Sequence, residues 1–260
     1  MHLLLREQHN IEAQDVAEDL DHPAAPLLLM SFTDSDLLGL SAAARAQSAE
    51  GEGALQLVNL QRLRHPMSVD LYLEKTAAGA RVIVVRLLGG LEYWRYGVEE
   101  LMALCRARKI PLALLPGACQ GTDTLREKST VSPEIWSRLN GFFQEGGQRN
   151  WSGAYHLMRS LAGLAEDDGA SAESLPSCGI YRTAAAKSDA GHAGGTPRKA
   201  WVIFYRAHLA AGDLEGIDAL IAALAAAGLD VKALFVASLK NDAVAAWLAQ
   251  MMDSTPRTSS

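Results

Sequence analysis

The sequence predicts an α/β protein: a parallel open sheet domain with flanking helices, followed by a linker and an incomplete second α/β unit. Three observations carry this expectation. Apolar runs of strand length alternate with segments of helical period. Several of those runs are apolar at consecutive positions, the pattern of strands that helices cover on both faces. Between residues 165 and 199 the composition turns to Gly, Ala, Ser, Asp and Pro, and the alternation then restarts.

Taken in order, the candidate strands are residues 2–7, 27–32, 55–60, 81–88 and 111–115. Thr33, Asp34 and Ser35 offer cap oxygens before Leu37, so a helix starts there. Pro66 suits a first helical turn, after which Val69, Tyr72, Leu73 and Thr76 share one face. From Val98 the stripe Val98, Leu101, Met102 and Cys105 runs at i, i+3, i+4, i+7. Arg106, Arg108 and Lys109 follow at the end where cations suit the helix dipole. Ser132, Pro133 and Glu134 set a cap, a first-turn proline and a first-turn acid in sequence. Within the linker, Cys178 to Tyr181 can dock as a short strand. Beyond it come a strand at 201–205, Asp213 as a cap, a stripe of Leu214, Ile217, Leu220, Ile221 and Leu224, a strand at 231–236 and a last helix from Asp242. These bounds give a head domain at 1–164, a flexible linker at 165–199, a truncated second unit at 200–253 and a disordered tail at 254–260.

At 260 residues the chain is long enough for about two domains at roughly 150 residues each. Apolar residues make up 49% and charged residues 21%, ordinary for a globular protein, which excludes wholesale disorder. The net charge of −6 argues against bulk electrostatic binding of nucleic acid. Cys105, Cys119 and Cys178 are widely spaced and form no C-x-x-C pair, so neither a disulfide framework nor a zinc knuckle is expected. The opening residues lack the basic flank of an export signal, and the longest nearly uncharged stretch, 219–229, falls short of the ~20 residues of a spanning helix. A cytoplasmic protein without a membrane partner is the expectation.

Motifs with a known mechanism are mostly missing from the sequence. It contains no phosphate-cradling G-x-x-x-x-G-K-[ST], no G-x-G-x-x-G, no H-E-x-x-H and no G-x-S-x-G. Histidines 2, 9, 22, 65, 156, 192 and 208 make no pair at metal-ligand spacing, so no protein-held metal is expected. The most informative segment runs from Arg86 to Gly97, where a buried strand gives way to a helix; in open α/β sheets that carboxyl edge is where ligands settle. There Gly89 and Gly90 let backbone approach a ligand, Arg86 and Arg95 can fork onto carboxylates, and Tyr93, Trp94 and Tyr96 can cover a flat ring. Equally, the glycines can simply make the turn while the aromatics pack the helix start. Arg206, at a second strand end, is a weaker echo.

The strings His65-Pro-Met-Ser-Val-Asp-Leu-Tyr72, Arg86-Leu-Leu-Gly-Gly90 and Tyr93-Trp-Arg-Tyr-Gly-Val-Glu-Glu-Leu101 resemble the N-terminal part of the cobaltochelatase large subunit, the CobN type. So do Ser31-Phe-Thr-Asp-Ser-Asp-Leu37 and Phe204-Tyr-Arg206 with Ala211-Gly-Asp213 and Ile217-Asp-Ala-Leu220. The resemblance runs from the first strand, with Ser31 to Leu37, to about Leu248. It implies insertion of cobalt(II), as substrate, into hydrogenobyrinic acid a,c-diamide during aerobic cobalamin synthesis. Mg-ATP would be hydrolysed on two smaller partner subunits, which accounts for the missing phosphate loop. The large subunit resembles that of magnesium chelatase and is the one that holds the macrocycle.

Members of that family are several times longer, so the resemblance implies a fragment, inactive alone, and carries no catalytic residue across. Arg86, Tyr93, Trp94 and Arg206 are the candidate substrate-binding residues, arginine suiting the carboxylates of a corrinoid. Replacing Arg86 or Arg206 by alanine is expected to weaken macrocycle binding without unfolding the head. Three other readings stay open: a non-catalytic scaffold docking the ATPase partners, the large subunit of a magnesium chelatase, and an independent α/β ligand-binding module.

Overall fold

A computed structural model describes residues 16–47, 55–117, 122–182 and 198–253. The candidate strand at 2–7, Cys119 and the 254–260 tail lie outside the described residues. The chain divides into two compact units, one within Met1–Gln144 and Arg149–Ala172, the other within Glu145–Gln148 and Glu173–Ser260.

In the first unit the order is β1 (Leu27–Ser31), α1 (Asp34–Gln47), β2 (Leu55–Asn59), α2 (Pro66–Lys75), β3 (Val82–Leu87), α3 (Arg95–Arg108), β4 (Leu112–Pro116), α4 (Thr122–Lys128), α5 (Pro133–Glu145) and α6 (Gln148–Leu161). The four strands form one parallel sheet in the order β2-β1-β3-β4. Consecutive apolar residues make sense in this setting. Every residue of β1 is at most 1% exposed, Leu28 and Met30 packing with α2 and α3 while Leu27 and Leu29 pack with α1, α5 and α6. A strand buried on both faces has no polar side to show.

The helix signals mostly act as expected. Val69, Tyr72, Leu73 and Thr76 of α2 and its C-cap are buried, as are Val98, Leu101, Met102 and Cys105 of α3. The Ser132 hydroxyl accepts from the Ile135 N–H at 3.3 Å at the start of α5. At α1 the acids are used differently: Asp34 accepts from the Asn59 amide at 2.7 Å, and Asp36 turns inward. His65 caps α2, its Nδ1 accepting from the Met67 N–H at 3.1 Å.

In the second unit β5 (Cys178–Tyr181), β6 (Lys199–Tyr205) and β7 (Asp230–Val236) form a mixed sheet of order β5-β7-β6, with β5 antiparallel to β7 and β6 parallel to it. Two parallel strands were expected; the third comes from within the 165–199 stretch. That stretch is not uniform: residues up to Ala172 belong to the first unit, β5 to the second, and 183–197 lie outside the described residues. Helices α7 (Arg206–Ala211), α8 (Glu215–Ala226) and α9 (Asp242–Asp253) complete this unit. Ile221, Leu214, Ile217 and Leu224 face its core, but Leu220 is half exposed. Asp213 does not cap α8. The position before that helix is Leu214, without a side-chain bond, and the Asp213 carboxylate lies 3.5 Å from His208 Nδ1 instead.

Arg138 of α5 holds the chain after α6 against the first unit. It donates to both carboxylate oxygens of Asp167, at 2.6 and 2.7 Å, and to the Ala170 carbonyl at 2.8 Å. These bonds from Arg138, and then one from the Gly169 N–H, pull the Asp167 carboxyl down to about 2. A carboxyl more acidic in the folded state stabilises fully above its unfolded pKa, and that contribution is lost as pH falls through the folded value. Arg138→Ala should therefore return Asp167 toward 3.8, the ordinary value, in an NMR pH titration, and speed amide exchange across 165–172. An unchanged midpoint would refute the assignment.

Candidate functional site

The chain leaves β1 toward β2 on one side and returns past β1 to β3 on the other. This reversal opens a crevice at the carboxyl ends of β1 and β3, the place where open α/β sheets bind ligands. Ser31 and Arg86 face each other there in register. Asp36, brought in by the first turn of α1, joins them. Its Oδ2 accepts from Ser31 Oγ at 2.6 Å and its Oδ1 from Arg86 Nη1 at 2.5 Å. Arg86 Nε also donates to the Pro116 carbonyl at 3.4 Å, and the guanidinium lies 5.8 Å from the Phe143 ring centre. Burial pushes the Asp36 carboxyl above its usual range, with Arg86 and Ser31 opposing.

Arg86 is thus committed to an internal brace. Of the four candidate residues, Tyr93 and Trp94 lie together beside an open groove. Gly89 and Gly90 both have positive φ, +83° and +81°, and turn the chain from β3 into a short 3-10 turn, Leu91–Trp94. The Trp94 side chain is buried and its indole N–H donates to the Leu63 carbonyl at 2.7 Å. Gly97 makes that possible, since a Cβ there would lie 2.1 Å from the indole. Tyr93 remains half exposed, edge-on to Phe32 with ring centres 5.0 Å apart.

The groove has a volume of about 300 Å³ and is lined by Arg64, Tyr93, Trp94, Arg95, Tyr96 and their neighbours Val69 and Gly97. Arg95 is paired with Glu92 at 2.5 Å. The Tyr96 hydroxyl donates to Asp70 Oδ1 at 2.7 Å, which pushes its pKa up to about 12. Arg64 donates from Nη2 to the Tyr93 hydroxyl at 3.1 Å and stands 5.6 Å from that ring centre. Sequence reasoning missed both Arg64 and Asp36. The available signal was position: Arg64 lies in the connection after β2 and Asp36 opens the helix after β1, so both fall at the carboxyl edge.

Arg206 belongs to the other unit. It donates to Glu145 Oε2 at 3.1 Å and to the carbonyls of Leu175 and Pro176 at 3.0 to 3.3 Å, closing the start of α7 over the strand end. Among the described residues there is no cluster of three His, Cys, Asp or Glu side chains able to hold a metal. None of their helices is long and apolar enough to cross a membrane.

The chain thus combines a parallel α/β head that has an open groove at its carboxyl edge with a smaller mixed-sheet unit, and its sequence carries no nucleotide motif. Residues 140–258 match the family CobN/Magnesium Chelatase. The chain is 34% identical over 252 residues to the aerobic cobaltochelatase subunit CobN of Sinorhizobium sp, covering 93% of this chain and 20% of that protein. It is 32% identical over 263 residues to the aerobic cobaltochelatase subunit CobN of Pseudomonas aeruginosa, covering 99% and 21%. The chain is similar to these CobN proteins along nearly its whole length, carries the CobN/Magnesium Chelatase family match over 140–258, and spans about one fifth of the length of these relatives. Its fold is also that of the catalytic subunit of cobaltochelatase from Mycobacterium tuberculosis, with a TM-score of 0.67 at 24% identity over 87% of this chain and 17% of the other.

Asp36→Asn tests the brace. The amide keeps the shape but leaves Arg86 without a counter-charge, and removing one partner of a buried pair costs about 3–5 kcal/mol. Arg86 is 13% exposed, which places the expected loss at about 3 kcal/mol, near the lower end of that range. Asp36→Asn with Arg86→Met should recover most of it in urea unfolding. A single variant within about 0.5 kcal/mol of the parent would show that the pair holds nothing together.

Proposed function

We propose that the chain is part of the macrocycle-holding large subunit of a cobaltochelatase. The enzyme would insert cobalt(II) into hydrogenobyrinic acid a,c-diamide in the cytoplasm, driven by Mg-ATP hydrolysis on two smaller partner subunits. The near-complete alignment with two CobN proteins is the observation that supports this most strongly. The reaction needs a ring held in place, its inner N–H groups deprotonated and a hydrated metal ion stripped at the ring centre. The part assigned to this chain is the first of these. Tyr93 covers the ring, Trp94 fixes the segment that carries Tyr93, and Arg86 fixes the strand end behind it; Arg206 performs the corresponding bracing in the second unit. Residues 1–260 are inactive alone in this reading.

A second role is supported by the smaller sheet. Ile180 and Ile203, which flank Leu234 in register, and Tyr205 are all substantially exposed, a surface suited to docking the partner subunits. The family's other branch supplies magnesium as the competing metal.

Cobalt insertion is measured with both partner subunits and Mg-ATP. A complete large subunit carrying this head should turn over and the 260-residue chain should not; turnover by the latter sinks the fragment reading. In the complete subunit Tyr93→Ala should raise the ring's Kd about 5- to 10-fold, the loss of one aromatic contact of about 1 kcal/mol, with the melting temperature unchanged. An unaltered Kd removes Tyr93 from the site.

A further inference from the structure

Among the described residues, the positive side chains around the groove are paired with acids, except one. Arg62 pairs with Glu18, Arg86 with Asp36 and Arg95 with Glu92. Arg64 is exposed, and among the described residues its guanidinium meets a neutral phenol and no carboxylate. A guanidinium has five N–H donors in a planar fork that matches a carboxylate, and only one bond is made here, at the Tyr93 hydroxyl.

The position of Arg64 is fixed from both sides. The Leu63 carbonyl before it takes the Trp94 indole N–H, and His65 and Pro66 after it set the start of α2. A preorganised donor spends little ordering entropy on its ligand. The charge balance limits what that ligand is. Glu92 neutralises Arg95 and Asp70 accepts from the neutral Tyr96 phenol, so Arg64, Arg95, Glu92 and Asp70 sum to zero net charge while Arg64 meets no carboxylate among the described residues. That suits a single carboxylate better than a polyphosphate. About 300 Å³ lies at the small end of ligand pockets, room for a substituent and part of a ring, with half-exposed Tyr93 as the apolar wall.

We propose that the Arg64–Tyr93 groove binds a carboxylate carried on a flat ring, Arg64 receiving the carboxylate and Tyr93 covering the ring. The identification of that ring with a tetrapyrrole rests on the function proposed above; the carboxylate site itself does not.

Two probes separate these statements. Benzoate, with benzamide as its neutral counterpart, is titrated into the 260-residue chain while the Trp94 indole N–H signal is followed by NMR. Hydrogenobyrinic acid a,c-diamide is titrated in the same way. Benzoate should shift the signal saturably, benzamide should not, and Arg64→Ala should weaken benzoate at least ~10-fold while the melting temperature holds, with Arg64→Lys intermediate. Absence of benzoate binding, equal binding by Arg64→Ala, or benzamide binding as tightly as benzoate each overturns the site. Should the macrocycle bind with an affinity that Arg64→Ala leaves unchanged, its identification as this site's ring is overturned and the chelatase reading stands. Arg64-dependent benzoate binding with no macrocycle binding keeps the carboxylate site and removes the chelatase reading.

Discussion

The architecture of the first unit turns on one buried ion pair. Asp36 and Arg86 meet at 2.5 Å at the carboxyl ends of β1 and β3, with Ser31 supplying a further bond to the same carboxylate. Isolated, either charge would be costly there; together, hydrogen-bonded on several sides, they are tolerated. The contacts tie the end of β1, the first turn of α1, the end of β3, the Pro116 carbonyl at the end of β4 and the Phe143 ring of α5 to one guanidinium. Because β3 ends in this brace, the chain beyond it leaves from a fixed point. The Gly89–Gly90 turn, the anchored Trp94 and the half-exposed Tyr93 follow from that point in order.

Arginine residues at strand ends therefore divide into two kinds that look alike in sequence. Arg86 and Arg206 each terminate the reach of a strand by pairing with a carboxylate and with backbone carbonyls of their own unit, Asp36 and Pro116 in one case and Glu145, Leu175 and Pro176 in the other. Arg64 occupies a comparable edge position and makes one bond to a neutral group. The expectation that Arg86→Ala spares the fold overlooked the carboxylate it would orphan. A residue's partners in space decide whether its charge is available to a ligand, and that is what a single sequence conceals.

What was legible followed from burial. Consecutive apolar runs marked β1, β3 and β4 because both faces of a helix-covered parallel sheet must be apolar, and the stripes on α2 and α3 marked helices that cover it; β2, at the sheet edge, is mixed and half-buried. Where burial is partial the signal weakened. β5 is short, lies in a Gly- and Ser-rich stretch and pairs antiparallel at a sheet edge, so its place was legible at Cys178 to Tyr181 but its direction was not written in hydropathy. Leu220 fits the α8 stripe by spacing yet lies outside the core, since a three-stranded sheet is too narrow to cover the whole stripe. Asp213 had the residue type of a cap, but His208 lies beside it. The candidate site was half legible: its aromatics announce themselves by type and clustering, whereas Arg64 and Asp36 acquire meaning only when the sheet brings β2, β1 and β3 side by side.

The two units differ in how completely their sheets are covered, and this bears on the work each can do. In the first, helices cover both faces and grooves open at the two edges, one beside Tyr93 at the carboxyl edge and one of about 340 Å³ between the end of α3 and the start of α5. In the second, α8 packs on the face that carries Val202, Phe204, Ala233 and Phe235; on the opposite face Leu234 and Val236 of the central strand are buried, while Ile180, Ile203 and Tyr205 of the flanking strands stay exposed. A preorganised edge suits selection of a small ligand; apolar residues exposed along flanking strands suit contact with more protein. A ligand meets least ordering cost at groups already held in place, and the edge braced by Asp36 and Arg86 provides such a support for the segment that carries Tyr93.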